Sequence, residues 1–406
     1  MNTLGIDFGT SNSACGVLVA GRPHLIEIEP GEKTLPTSVF FDFETRRMLI
    51  GSAANRALIA GAEGRFMRAL KSVLGTSLMH ERRNLSNESL DFIDIIARFL
   101  ARLKSRAEAA CHQSFTHALS GRPVHFHSGD PARDARAEAD LRESYLRAGF
   151  ADVAFLYEPE AAALANGATE GLGLIVDIGG GTSDFTLFRG GTVLASHGVR
   201  IGGTHFDRAL SLDHAMPLLG AGGSLRNAFG PGTLAAPRAL FQDLASWEKI
   251  PFLYTPQILR DVRAMARQAV QPAPFARLVS VLEMHTGHDI AFAVERAKIA
   301  ANAGAGRIDL SVVERGLSVP LDGAALAASL DGLAAGVGTC ALETCARAGV
   351  TASAVEQIVF VGGSSLMGVV VQRLSEIFPG ARQKRSDPFT GVADGLAIAS
   401  GHKIWA

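Results

Sequence analysis

The sequence is poor in cysteine: four thiols, Cys15, Cys111, Cys340 and Cys345, are spread over 406 residues. Cys340 and Cys345 have neither Cys-x-x-Cys nor metal-ligand spacing. All four read as small buried apolar residues in a reducing cytoplasm, which excludes a disulfide scaffold. Charge of one sign is also lacking. The net charge is −1 and no block of like charge stands out, so there is no electrostatic footprint for nucleic acid. No apolar run reaches about 18 residues without a charged or turn residue, so neither a membrane-spanning helix nor a membrane partner is expected. The first strand begins at about Thr3, so no leader is expected ahead of it. What is present is 47% hydrophobic residues, ample for a sizeable core and for two or three domain-sized units.

Two short stretches are near copies of each other. Leu4-Gly5-Ile6-Asp7-Phe8-Gly9-Thr10-Ser11-Asn12-Ser13 and Ile175-Val176-Asp177-Ile178-Gly179-Gly180-Gly181-Thr182-Ser183-Asp184 both read as strand, tight turn, strand. Each is an apolar run ending in Asp, followed by a glycine turn and Thr. A repeat of this kind implies two similar half-molecules. Glycines let backbone N–H groups approach a polyphosphate, and successive N–H groups in a turn make an anion nest. An Asp at each strand end can hold Mg²⁺ through its water shell. The bland alternatives are turn-capping Asp residues and simple tight hairpins. Together the two stretches point to a nucleotide cleft between two lobes. A Walker A loop is absent, so the chain is not a P-loop NTPase.

The remaining pattern is α/β. Residues 3–41 and 173–201 read as meanders. Residues 52–75, 88–113 and 131–148 read as helices, the last with Asp130 as cap. A short strand is expected at 123–127. It would place His125 and His127 on one face, as a zinc pair, a phosphate-side contact or ordinary strand-end histidines. A strand at 153–157 leads into a helix opened by Glu158-Pro159. Glu158 there is either a helix cap or the group that orients an attacking water. Residues 213–290 carry no chemical motif. Helices follow at 290–303, 323–349, 369–378 and 388–402, with a strand at 355–362 ending in Gly362-Gly363-Ser364.

These segments resemble the actin-like ATPase superfamily and, more narrowly, the ATPase domain of the heat shock protein 70 family. The likeness rests on the two Asp-glycine stretches, on Glu158-Pro159-Glu160-Ala161-Ala162-Ala163-Leu164-Ala165-Asn166-Gly167 and on Val361-Gly362-Gly363-Ser364-Ser365. In order and spacing they cover nearly the whole chain. The resemblance implies a two-lobed, ribonuclease H-like fold with duplicated mixed-sheet lobes around a nucleotide cleft. Lobe I would be 1–170 plus 387–406, with a subdomain near 38–116. Lobe II would be 171–386, with a subdomain near 207–304.

The same resemblance implies site residues. Asp7 and Asp177 would hold Mg²⁺. Gly9, Thr10, Ser11, Asn12, Gly179, Gly180, Gly181 and Thr182 would cradle the phosphates of ATP or ADP, with Asp184 in the water network. Lys71, in Leu70-Lys71-Ser72-Val73-Leu74-Gly75, falls at the family's catalytic lysine. Lys71, Glu158, Asp177, Thr182 and Asp7 would carry hydrolysis. Gly202 and Gly203 match a glycine loop that could bring His205 near the phosphates. Glu295, Lys298, Ile299, Asn302, Gly362, Gly363, Ser364, Leu366 and Phe389 would surround the nucleoside.

Three departures stand out. Ile299 and Leu366 take the places of the two arginines that sandwich adenine in the family, and Phe389 replaces an Asp. Residues 213–290 resemble instead a divergent YegD-like branch of presumed chaperones. No β-sandwich or helical lid for peptides follows Ala406, so a protein partner or client is expected from a separate chain. The resulting expectation is a cytoplasmic Mg²⁺-dependent ATPase in a chaperone-like role. The alternatives are an actin-like filament or partition ATPase and a small-molecule kinase of the sugar-kinase type.

Overall fold

A computed structural model describes residues 2–85, 88–127, 130–165, 171–190, 192–227, 230–385 and 390–401. The chain divides into two compact units. The first comprises 1–200, 338–366 and 374–406, and the second 201–337 and 367–373.

The first unit is built on two sheets whose five main strands share one order, the first with an added strand, Thr34–Pro36, beside β2. One contains β1 (Thr3–Phe8), β2 (Asn12–Val19), β3 (Arg22–Leu25), β4 (His117–Arg122) and β5 (Asp152–Tyr157), in the order β5-β4-β1-β2-β3. The other contains β6 (Leu172–Ile178), β7 (Ser183–Arg189), β8 (Thr192–Val199), β9 (Gln357–Val361) and β10 (Arg382–Arg385), in the order β8-β7-β6-β9-β10. In each, the first strand pairs antiparallel with its hairpin partner and parallel with a strand that returns later. The sequence repeat is therefore a repeat of topology, that of the α/β, ribonuclease H-like fold of actin-like ATPases.

Central strands buried on both faces read as continuous apolar runs. Leu4, Ile6 and Phe8 on β1 and Leu174, Ile175 and Val176 on β6 are all buried. Helix α1 (Phe92–Cys111) starts from a reciprocal cap between Asp91 and Asp94. It buries Ile95, Ile96, Phe99, Leu100 and Leu103, with the Phe99 ring edge-on to Phe8 at 5.8 Å. Helix α2 (Pro131–Arg147) is capped by Asp130, whose carboxylate accepts the Arg133 N–H at 2.9 Å. Helix α3 (Glu158–Ala165) follows β5 directly. It crosses α7 (Gly391–Ser400) so closely that a Cβ on Gly395 would lie 1.8 Å from the Ala161 carbonyl oxygen.

In the second unit, α5 (Gly287–Asn302) packs on a hairpin of Ala305–Asp309 with Ser318–Asp322, and α4 (Gly203–Leu210) packs against α5. Residues 213–290 have a core of their own around Phe241, Leu244, Ile250, Phe275, Leu278 and Val281. Trp247 packs edge-on against Phe292 at 4.8 Å.

Two expectations change. Residues 52–75 form a helix only over Ser52–Ile59; Gly61, at φ 69°, ends it in the left-handed region. Gly64–Arg68 is then a strand, and Leu70–Val73 a single 3-10 turn. Residues 123–127 are not a strand. The strand is β4, and Pro123, with no N–H to donate, ends its ladder. Helix α6 (Gly323–Arg347) is long and apolar enough to cross a membrane by length and composition. Asp331 and Glu343 interrupt its apolar run in sequence. Its buried residues Leu326, Leu330, Ala334, Val337, Ala341 and Cys345 form the stripe expected of a core helix.

Candidate functional site

The turns after β1 and β6 carry the repeated residues. In the first, Thr10 and Ser11 are exposed. Gly9 is obligatory, because a Cβ there would lie 2.1 Å from the Asn12 carbonyl oxygen. The turn is tied down by the Thr37 N–H to the Ser11 carbonyl at 2.8 Å and by Ser13 Oγ to Thr37 Oγ1 at 2.8 Å. In the second, the Gly179 N–H reaches the Thr182 carbonyl at 3.0 Å, and Thr182 Oγ1 donates to Asp184 at 3.1 Å. The two turns face each other, since a Cβ on Gly180 would sit 2.8 Å from Ser11 Oγ. A Cβ on Gly181 would meet no atom within 4 Å. Packing therefore does not require glycine there.

Beside the turns lies a cluster of charge. Asp7 and Asp177 end their strands, and Asp184 is the register partner of Asp177. Glu158 opens α3, with Gly121 making room: a Cβ on Gly121 would be 3.2 Å from Glu158 Cγ. Lys71 comes from the 3-10 turn and donates to Glu158, forming an ion pair whose side chains are 9% and 13% exposed. Burial and the Glu158 charge push Asp7 up to about 7 despite Lys71. Burial, Glu158, Asp184 and Asp7 hold Asp177 well above the usual carboxylate range. Burial, offset in part by the Thr182 hydroxyl, puts Asp184 at about 6. Burial alone would lower the Lys71 ammonium, but Glu158, Asp7 and Asp177 raise it. Four carboxylates thus share one ammonium, and the site favours further positive charge.

Gly362 joins this group. At φ 78° it lies where a Cβ would be 2.6 Å from the Ile178 carbonyl oxygen and 3.1 Å from Asp177 Oδ1. Gly363 and Ser364 continue into a 3-10 turn, Gly363–Leu366, pinned by Ser365 Oγ to the Gly362 carbonyl at 2.7 Å.

The family model described as Hsp70 protein matches residues 3–219, a stretch that contains both glycine turns, Lys71 and Glu158. The chain belongs to the Hsp70 family. It is 32% identical over 216 residues to the chaperone protein DnaK of Mycoplasma mycoides subsp. mycoides SC, covering 51% of this chain and 34% of that protein. It is 33% identical over 221 residues to the chaperone protein DnaK of Thermoplasma acidophilum, again 51% and 34%. The match spans about a third of the length of each relative.

Among the described residues no three His, Cys, Asp or Glu side chains are placed to ligate a metal ion directly. The donor set suits a hard cation that keeps most of its waters and takes one or two carboxylates.

The other expected residues are placed as follows. In the second unit, Lys298 is buried and paired with Asp207 at 2.8 Å. Glu295 is exposed, and Ile299 on the same helix is 61% exposed. Asn302 Oδ1 accepts the Gly368 N–H at 2.7 Å. Gly202 and Gly203 lead into α4, and the Gly202 N–H donates to His205 Nδ1 at 3.2 Å. In the first unit Leu366 is half-buried. His125 is exposed. His127 Nε2 meets the Leu74 carbonyl at 2.7 Å. Phe389, Asn166 and Gly167 lie outside the described residues. Sequence reasoning missed Gly121. The signal for Gly121 was a glycine inside a strand, which marks close approach by another group.

Proposed function

We propose that this chain binds ATP and ADP with Mg²⁺ and hydrolyses ATP, in a chaperone-like cytoplasmic role with a protein partner or client. The observation that carries the reading is the group Asp7, Asp177, Asp184 and Glu158 around Lys71, beside two facing glycine turns. Asp7 and Asp177 would hold Mg²⁺ through its waters, and the ion supplies neutralisation of phosphate charge. Backbone N–H groups of Gly9–Asn12 and Gly180–Thr182, with the Thr10 and Ser11 hydroxyls, orient the phosphates. Lys71 stabilises charge on the transferring phosphoryl group. Glu158, held by Lys71, orients the attacking water, and Asp184 with Thr182 orders the waters nearby. Phosphoryl transfer is chiefly positioning and charge stabilisation, which is what these residues offer.

Membership of the Hsp70 family favours this reading over a filament former or a small-molecule kinase. Pelleting with ATP and a phosphoacceptor screen separate those two. The direct test is phosphate release by wild type and Glu158→Gln. The expected loss is roughly 100-fold, with ATP binding retained. Equal rates would remove Glu158 from the mechanism.

A further inference from the structure

Lys71 sits on the 3-10 turn Leu70–Val73. The turn is entered through Ala69 at φ 55°, a left-handed conformation unfavourable for a residue with a Cβ. Such strain persists only where neighbouring structure over-determines it. Helix α2 and His127 hold the residues that follow the turn. Gly75, at φ 74°, lies so close to α2 that a Cβ would be 2.5 Å from the Arg133 carbonyl oxygen and 3.1 Å from Ala137 Cβ. The Gly75 N–H donates to Asp140 Oδ2 at 2.9 Å. The other carboxylate oxygen, Oδ1, meets His80 Nε2 at 3.1 Å, and the Asp140 side chain is only 7% exposed. His127 Nε2 donates to the Leu74 carbonyl at 2.7 Å. On the inner side Leu70, Leu74 and Met79 are buried. Asp140 is thus a buried carboxylate that does not belong to the charge cluster. Both of its oxygens are used on the segment that carries Lys71.

We propose that Asp140, supported by His127, is a positioning residue for Lys71. It fixes the backbone of residues 74–80 against α2, so that the lysine ammonium is delivered to Glu158, Asp7 and Asp177. A lysine side chain has four rotatable bonds, and only a fixed Cα makes its reach definite. The inference rests on the reading of Lys71 as a group of the hydrolytic site.

The test is steady-state ATP hydrolysis, with ATP binding measured separately by calorimetry, on wild type, Lys71→Ala, Asp140→Ala, Asp140→Asn, His127→Ala and His127→Gln. Asn at 140 keeps an acceptor for the Gly75 N–H, and Gln at 127 keeps a donor for the Leu74 carbonyl. Asp140→Ala should lower kcat roughly 10- to 100-fold, the scale of a small misplacement, with KM and ATP affinity within about 2-fold. Asp140→Asn should recover most of that loss. His127→Ala should lose less than Asp140→Ala, and His127→Gln should recover it. A merely structural role would lower the melting temperature without moving kcat per folded molecule. If folded Asp140→Ala turns over at the wild-type rate while Lys71→Ala is slow, the inference fails and the hydrolytic reading stands. If Asp140→Ala does not fold, the His127 pair decides, and equal kcat for wild type and His127→Ala overturns the inference. If wild type does not hydrolyse ATP, or Lys71→Ala is as fast as wild type, both fall.

Discussion

Lys71 and Glu158 are 87 positions apart in the chain and joined by an ion pair. One comes from a 3-10 turn of the segment before α1, the other from the junction of β5 and α3. Each would be costly alone: the lysine would be a nearly buried charge without its hydrogen-bonded carboxylate, the glutamate one more anion among three aspartates. The pair therefore shapes the electrostatics of the cluster, raising Asp7 through Glu158 and holding the Lys71 ammonium charged.

The first prediction follows from that pair. Lys71→Ala should slow ATP hydrolysis by roughly 100-fold or more, the loss typical of a removed charge stabiliser. ATP binding should persist on the backbone N–H groups of the turns. The apo protein should also lose about 3 kcal/mol, as when one partner of a buried pair is removed. Single-turnover assays and denaturant melts read the two effects. A variant as fast as wild type would show that Lys71 serves the fold alone.

The raised carboxylates make stability depend on pH. Asp7 is pushed up to about 7 and Asp184 to about 6, chiefly by burial, against an ordinary value of 3.8. Between those values the folded state holds more protons than the unfolded state. The stability these groups contribute is therefore full below about pH 4 and lost as the pH rises through 6 to 7. The apo protein should melt lower at pH 8 than at pH 5. Asp7→Asn should flatten the slope and raise stability at pH 8 by about 1 kcal/mol or more. A melting profile of Asp7→Asn that parallels wild type would contradict the assignment.

Much of this site is legible in the sequence, for physical reasons. The two glycine turns stand out because the same chemistry recurs in the same order, and the two sheets then proved to share one strand order. The cap at Asp130 is legible because capping is local. The seat of Lys71 is not. Residues 52–75 keep apolar residues at helical intervals, and the period conceals the break at Gly61 and the strand at Gly64–Arg68. The Asp140 contact joins residues 65 positions apart, and no periodicity reports such a bond.

Two glycines with opposite surroundings give a paired prediction. A Cβ on Gly181 meets no atom within 4 Å, so Gly181→Ala should leave the melting temperature almost unchanged. If the turn receives phosphate, its ATP affinity should fall by about 10-fold, or 1.4 kcal/mol. A Cβ on Gly395 would be 1.8 Å from the Ala161 carbonyl oxygen. Gly395→Ala should therefore destabilise by about 3 kcal/mol, the upper part of the overpacking range. Calorimetry for the first and thermal melts for both check the contrast. Unchanged affinity in Gly181→Ala would place the phosphates elsewhere.

Base selectivity should differ from that of ordinary family members. The resemblance sets arginine against adenine at the positions of Ile299 and Leu366, and Ile299 is 61% exposed on α5. An arginine over an aromatic ring contributes about 0.5–2 kcal/mol. Without it, ATP affinity should be about micromolar or weaker, with modest discrimination against GTP. Ile299→Arg combined with Leu366→Arg should tighten ATP by up to about 10-fold. Nanomolar ATP binding with strong rejection of GTP in the unaltered chain would show that another group reads the base.

The central claim is that Asp7 and Asp177 present a hydrated Mg²⁺ ion to the phosphates of a nucleotide that this chain hydrolyses. ATP turnover by wild type and Asp177→Asn, each with and without Mg²⁺, tests it most directly. The account predicts turnover by wild type with Mg²⁺, loss of it on chelation, and a rate roughly 100-fold lower for Asp177→Asn with Mg²⁺ present. Turnover that is indifferent to Mg²⁺, or equal in wild type and Asp177→Asn, would contradict it.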